Sequence, residues 1–328
     1  MTPTEAVGIA LDDTRLLADV CGVNDYNLHV LERLLGVPVF VRGNEILLES
    51  PDSRLRRLFS SLIGQLLDAI GEGMPASPDL ITAIYASLTP EGSGPVPGAA
   101  RSCADLFKES AIQVPGAFSK VYPRTANQAL FLRGLATHDI SVAVGPAGTG
   151  KTYLSVAWAL REVLSKSRRR LVLTRPVVEA GESLGFLPGD LGQKISPYLR
   201  PLYDAMEALV PYDVVRRLEE NHTIEIAPLA YMRGRSLNNC VVILDEAQNT
   251  TKEQMKMFLT RIGEGSAAVI TGDVTQIDLP RKSESGLVHA LSVLSGIDEI
   301  FVSRMDGRDV VRNPLVRKII DAYESEIR

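Results

Sequence analysis

Three cysteines, four histidines and one tryptophan in 328 residues leave little material for several kinds of chemistry. Cys21, Cys103 and Cys240 stand far apart, with no C-x-x-C pair and no cysteine/histidine ligand spacing. That excludes a disulfide framework and argues against structural zinc. His29, His138, His222 and His289 are as widely scattered, so a metal held through imidazole is not expected. No apolar run approaches the roughly 20 residues that span a bilayer. The opening MTPTEAVGIALDDT has no basic segment leading into an apolar one, so no secretory leader is expected either. A reduced, cytoplasmic protein is the expectation. The net charge of −5 excludes general coating of nucleic acid but permits a local basic patch. The length suffices for one large domain and a small one.

The chain changes character twice. Residues 5 to 70 read as strand, helix, helix, strand, strand, helix, with Leu28, Leu31, Leu34 and Leu35 on one helical face. A turn at Gly43-Asn44 separates the second and third strands. GEGMPASPD and TPEGSGPVPGAARS are rich in Gly, Pro and Ser, so residues 76–119 read as a flexible linker with a short helix at 78–88. From residue 120, short apolar strands at 140–144, 170–174, 223–227, 241–245, 267–271 and 299–303 alternate with helices at 151–166, 203–220, 251–262 and 284–295. Continuously apolar strands separated by helices predict an α/β fold, its mostly parallel sheet covered on both faces. The expected domains are therefore 1–75, a linker over 76–119, and 120–328.

GPAGTGKT, residues 145 to 152, satisfies G-x-x-x-x-G-K-[ST] and joins a predicted strand to a predicted helix. In that context Gly145, Pro146, Ala147, Gly148, Thr149 and Gly150 turn backbone N–H groups towards phosphates at a helix N-terminus. Lys151 would reach the β- and γ-phosphates, and Thr152 would offer its hydroxyl to Mg²⁺. In VVILDEAQ, Asp245 ends a strand and is the second candidate for Mg²⁺, while Glu246 is a candidate general base for an attacking water. Two predicted strands separate the loop from Asp245 along the chain, which suggests the interposed strand of RecA-like ATPases. VITGDVTQIDLP places Asp273 and Gln276 at another strand tip, where Gln276 would sense the γ-phosphate together with Gln248. Asn127 or Gln128, in PRTANQALFL, offers an amide that could read adenine, with Gln128 as the candidate. An acceptor other than water would make the protein a kinase, a reading that Glu246 disfavours.

These four segments, in this order, resemble superfamily 1 helicases. LTRPVVEAGESLGFLPGDLGQKISPYLRPLYDAM (172–206) and IEIAPLAYMRGRSL (224–237) add a closer resemblance to the PhoH-like ATPase family, over about residues 120 to 323. The resemblance implies a RecA-like core, ATP and Mg²⁺ as cofactors, and a cytosolic bacterial ATPase of RNA metabolism with RNA-unwinding capacity. It also implies association with an endoribonuclease that matures ribosomal RNA, and a homo-oligomer, with a hexameric ring as one arrangement. Fewer than 50 residues follow GDVTQIDLP, too few for a second core, so coupling between cores is expected between subunits. A neighbour could then supply an arginine to the γ-phosphate, with Arg312, Arg304 and, less favoured, Arg261 as candidates. DVVRNPLVRKIIDAYE (309–324) resembles the family's terminal motif, though Asn313 stands where the family usually has histidine. Arg175, Arg200, Arg233, Arg235 and the run Arg168 to Arg170 are the basic residues available to RNA, with a solvated turn or a subunit interface as the alternatives.

The first 75 residues resemble a KH RNA-binding domain. Its GXXG loop reads Gly22-Val23-Asn24-Asp25 here, placing a carboxylate where phosphate should lie. Docking or oligomerisation is the alternative use. Two functions therefore compete. One is an RNA-stimulated ATPase or helicase; the other is an ATP-switched adaptor that recruits an endoribonuclease without unwinding.

Overall fold

The computed structural model describes residues 5–89, 107–117, 120–176 and 191–310, which form two compact units. The first comprises 5–89, 107–111 and 122–129; the second comprises 112–117, 120–121 and the described residues from 130 onward.

In the first unit, β1 (Glu5–Ala10), α1 (Thr14–Cys21), α2 (Tyr26–Leu35), β2 (Val39–Arg42), β3 (Glu45–Ser50) and α3 (Ser53–Gly71) follow the expected order. The strands form an antiparallel sheet in the order β1-β3-β2. Asp13 and Asp52 start α1 and α3 by accepting from the N–H groups of Arg15 and Arg54, the usual service of an acidic N-cap. Leu31, Ile46, Leu48, Phe59, Leu62, Ile63 and Leu66 are completely buried between sheet and helices.

The expected boundary at residue 75 requires correction. Helix α4 (Pro78–Leu88), capped by Ser77, sends Leu80, Ile81 and Ile84 into this same core, and Phe107 joins them. Apolar spacing outweighs the surrounding Gly/Pro composition here, so the described residues between 76 and 119 are packed. Residues 90–106, which carry most of TPEGSGPVPGAARS, lie outside the described residues.

Helix α5 (Ala126–Thr137), counted with the first unit up to Ala129 and with the second from Leu130, leads into β4 (Ile140–Val144), α6 (Lys151–Leu164) and β5 (Arg170–Arg175) of the second unit. There follow α7 (Leu191–Glu207), α8 (Tyr212–Glu220), β6 (Ile224–Pro228), β7 (Cys240–Leu244), α9 (Lys252–Leu259), β8 (Ala267–Gly272), α10 (Gly286–Val293) and β9 (Ile300–Arg304). The predicted helix over 203–220 is two helices: Pro211 is extended (φ −56°, ψ 145°) and restarts the chain as α8. All six strands pair in parallel, in the order β6-β5-β7-β8-β4-β9.

Strand residues alternate between two apolar layers, as the two-residue strand period requires. Leu171, Leu173, Val241 and Ile243 pack with α6, α7 and α8, while Val172, Val242 and Leu244 pack with α9 and α10. The strand between the phosphate-loop strand β4 and the acidic strand β7 is β8, which follows both in sequence. The two strands expected to interpose, β5 and β6, lie on the far side of β7. The RecA-like order is reached by a different strand than sequence position suggests.

Candidate nucleotide site

The loop between β4 and α6 is shaped by three glycines. Gly148 (φ 83°) and Gly150 (φ 81°) take left-handed backbone that side chains resist. At Gly145 a Cβ would meet the Met305 carbonyl oxygen at 2.6 Å, so glycine lets the loop lie against the end of β9. Lys151 folds back over this loop. Its Nζ donates to the carbonyls of Gly145 (2.6 Å) and Pro146 (2.7 Å) and to Thr149 Oγ1 (3.3 Å), which itself donates to the Pro146 carbonyl. Burial pushes the ammonium below its ordinary range, while Asp273, Glu246 and Asp245 oppose that shift.

Thr152 opens α6 and its hydroxyl donates to Asp245 Oδ1 at 2.8 Å, joining positions 93 residues apart. The Thr271 hydroxyl, on β8, donates to the same oxygen at 2.6 Å. Asp245 is buried, and burial pushes its carboxyl up; the charge of Arg175 and the two hydroxyls act the other way. Arg175, at the end of β5, holds its Nε 3.3 Å from Asp245 Oδ2, as an ion pair without hydrogen-bond geometry.

A desolvated carboxylate touching a hydroxyl at the mouth of a phosphate loop suits a hard, oxygen-seeking cation. Among the described residues, no group of three or more His, Cys, Asp or Glu could hold a metal by itself. That donor set fits Mg²⁺, which keeps waters and substrate phosphates among its ligands and needs only one or two from protein.

Glu246 has left-handed backbone (φ 55°, ψ 39°), an unfavourable conformation for a residue with a long side chain. That turn aims the carboxylate sideways from β7. Its Oε1 accepts from Arg175 Nη2 at 2.7 Å and its Oε2 from Gln248 Nε2 at 2.6 Å. Gln248 Oε1 accepts the Asp273 N–H (3.0 Å), and Asp273 Oδ2 accepts from Gln276 Nε2 (2.6 Å). Glu246, Gln248, Asp273 and Gln276 thus form one hydrogen-bonded chain across the ends of β7 and β8. Gly272 makes the crossing possible, because a Cβ there would meet Leu287 Cδ2 at 2.4 Å and Gln248 Oε1 at 2.9 Å. Burial alone would raise the Asp273 carboxyl. The Thr275 hydroxyl and N–H, Gln276 and Lys151 outweigh it and hold the group below its usual value.

Other expected residues fall elsewhere. Gln128 belongs to the first unit and is buried; its Oε1 accepts the Arg124 N–H (2.7 Å) while Thr125 Oγ1 accepts the Gln128 N–H (3.2 Å). This reciprocal pair caps the start of α5, as the T-x-x-Q spacing of Thr125 and Gln128 permits. Arg235 forks onto Glu225, Arg200 pairs with Asp204 and Glu207, and Arg168 donates to the Gly265 carbonyl. Arg175 is nearly buried against carboxylates, so the reading of it as an RNA contact is corrected. Arg233 and Arg304 are exposed, the latter at the end of β9 beside β4. Arg261 has a buried Nε without a hydrogen-bond partner among the described residues. Arg312 and Asn313 lie outside the described residues.

Sequence reasoning missed Thr271 and the role of Arg175. Each sits on a strand end at the level of Asp245, a position visible only once strand order is known.

The model of the family described as "PhoH-like protein" matches residues 120–324. The PhoH-like protein of Mycobacterium leprae (strain TN) is 44% identical over 308 residues, covering 94% of this chain and 85% of that one. The PhoH-like protein of Bacillus subtilis (strain 168) is 44% identical over 306 residues, covering 93% of each. A crystal structure of Pif1 helicase from Candida albicans aligns with 60% of this chain and 42% of its own at 16% identity and a TM-score of 0.30, too slight a likeness to argue from. With its phosphate loop, acidic strand tip and strand order in a single P-loop NTPase fold, the chain belongs to the PhoH-like family.

Proposed function

We propose that this protein binds ATP with Mg²⁺ and hydrolyses it, and that RNA stimulates the hydrolysis. The observation that carries the reading is the Thr152–Asp245 hydrogen bond, with Glu246 one residue beyond it. It joins the phosphate loop to the acidic strand at the one place where a triphosphate, a cation and an attacking water would meet. Thr152 and Asp245 would hold Mg²⁺, whose charge would spread over the phosphate oxygens.

In this reading Lys151 exchanges its loop carbonyls for β- and γ-phosphate oxygens. Glu246 takes a proton from water as the water oxygen bonds to the γ-phosphorus. The bond to the β–γ bridging oxygen breaks, and its electron pair leaves with ADP. Gln276 and Gln248, linked through Asp273, sense loss of the γ-phosphate. We place the work in the cytoplasm, on RNA, in a homo-oligomer where Arg304 or Arg312 of a neighbouring copy reaches the γ-phosphate. Unwinding and ribosomal RNA maturation beside an endoribonuclease are the setting this reading favours.

The first unit is proposed as a KH-like module, supported by its element order and by the sheet order β1-β3-β2. Asp25 takes left-handed backbone (φ 58°) in the loop where glycine would be easiest, and Val23 and Tyr26 beside it are exposed. A carboxylate there repels phosphate, so docking or oligomerisation is favoured over clamping RNA. The adaptor alternative draws support from Glu246, both of whose oxygens already accept hydrogen bonds.

The deciding experiment is ATP turnover with and without single-stranded RNA, beside a Glu246→Gln control. The expected outcome is stimulation by RNA, with Glu246→Gln lowering kcat by about 10²- to 10⁴-fold at unchanged nucleotide affinity. Measurable turnover without stimulation favours the adaptor, and phosphate passed to an acceptor other than water favours a kinase.

A further inference from the structure

We propose that Arg175 is a positioning residue that restrains Glu246, and that it does so through helix α7. This rests on the reading of Glu246 as general base. The guanidinium spans three oxygens, hydrogen-bonding two of them and lying in ion-pair range of the third. Nη2 donates to Glu246 Oε1 at 2.7 Å, Nε lies 3.3 Å from Asp245 Oδ2, and Nη1 donates to the Tyr198 carbonyl of α7 at 2.8 Å. Its side chain is only 14% exposed and that of Asp245 4%, whereas the Glu246 side chain is 41% exposed, so water screens the pair with Glu246 more than the pair with Asp245.

A general base must accept a proton from water. Glu246 instead accepts from a full cation on one oxygen and from Gln248 on the other. These two bonds fix where the carboxylate points and engage both of its oxygens, so one donor has to move aside before an attacking water can be held there. The planar fork of arginine fixes the distance between Glu246 and α7, which a single-point ammonium would not.

The anchor on α7 lies at an interruption of the helix's hydrogen bonding. Pro201 has no N–H to close onto the Pro197 carbonyl, so the helical turn that carries Tyr198 lacks one hydrogen bond. On the same helix, Arg200 is exposed and, among the described residues, pairs with Asp204 and Glu207 of that helix. A ligand that displaces α7 would draw the Tyr198 carbonyl away and take Arg175 off Glu246. Single-stranded RNA is the probe for that displacement.

The test is Arg175→Gln in the full chain, with Arg175→Lys as a second variant that keeps a positive charge beside Asp245. Basal kcat without RNA is expected to rise about five-fold or more in Arg175→Gln, with nucleotide affinity within about two-fold of wild type and little further gain from RNA. Arg175→Lys, which cannot fork to Tyr198, is expected to rise by a smaller factor. A kcat in either variant equal to or below wild type overturns the latch, as does RNA stimulation of undiminished size in Arg175→Gln. The ATPase reading itself is judged separately, on wild type against Glu246→Gln. Faster turnover in Arg175→Gln than in a barely active wild type supports both.

Discussion

Lys151 donates to three oxygens of its own loop, while Asp245, Glu246 and Asp273 lie close enough to oppose the loss of its charge. A desolvated ammonium held by weak neutral acceptors is poised to move to stronger anionic ones. Lys151→Ala is therefore expected to weaken nucleotide binding by about 2 to 3 kcal/mol, the scale of a lost charged hydrogen bond. Calorimetric titration with a non-hydrolysable ATP analogue measures it; affinity within about two-fold of wild type would remove Lys151 from the phosphate site. The residue-scale picture was partly legible beforehand. The loop glycines, Lys151, Thr152 and Asp245 follow from motif spacing, because nearby residues in sequence build most of that geometry. Arg175 was misjudged, since an arginine at a strand tip looks exposed until the neighbouring strand is known to end in two carboxylates. Gln128 carries a second signal in plain view: T-x-x-Q is a capping spacing, and its Oε1 accepts the N–H of Arg124 just ahead of α5.

At the scale of elements, continuous apolar runs marked all six parallel strands to within a residue or two, because strands buried on both faces leave no polar alternation to confuse. Helix ends were less legible. Helices α7 and α8 merged into one predicted segment because the apolar spacing continues across Pro211, whereas α4 was expected over the residues it occupies but assigned to a linker rather than to the core it joins. One tertiary pair now gives a test at this scale. Arg235 forks onto Glu225 and holds the turn after β6 against that strand, and the hydrogen bonds from Arg235 keep the Glu225 carboxyl below its ordinary 4.5. The pair is about one-third exposed, so screening limits its value, and Arg235→Ala is expected to cost about 1 kcal/mol near neutral pH. A carboxylate with a lowered folded-state value stabilises above its unfolded value and loses that contribution as pH falls through the folded one. The difference in denaturation midpoint between wild type and Arg235→Ala should therefore shrink below about pH 4.5. A gap that is constant with pH would assign the loss to packing of the arginine stem.

For the molecule as a whole, the proposed stimulation by RNA raises the question of whether the first unit meets RNA. Asp25 makes the first unit testable without dissecting it. Asp25→Gly removes a carboxylate and relaxes a left-handed backbone position, so it is expected to tighten single-stranded RNA binding by the full chain about three-fold or more. Fluorescence anisotropy at two salt concentrations would show a steeper salt dependence if a new phosphate contact forms. Unchanged affinity and slope would mean that this loop does not meet RNA.

The strand order has a consequence for how the protein is made. β4 carries the phosphate loop, yet both of its sheet neighbours, β8 and β9, are translated only after residue 266. Until then β7, β5 and β6 can pair among themselves, while β4 has no strand to lie against. Closing so distant a pairing is slow and late, because the chain must give up loop entropy before contacts repay it. Thr271, on β8, arrives in the same step and completes the hydrogen bonding of Asp245. A nascent chain on the ribosome would thus hold every residue of GPAGTGKT and still be blind to nucleotide. In the proposed reading, competence for ATP would come late in synthesis, because both neighbours of β4 and the Thr271 partner of Asp245 follow residue 266.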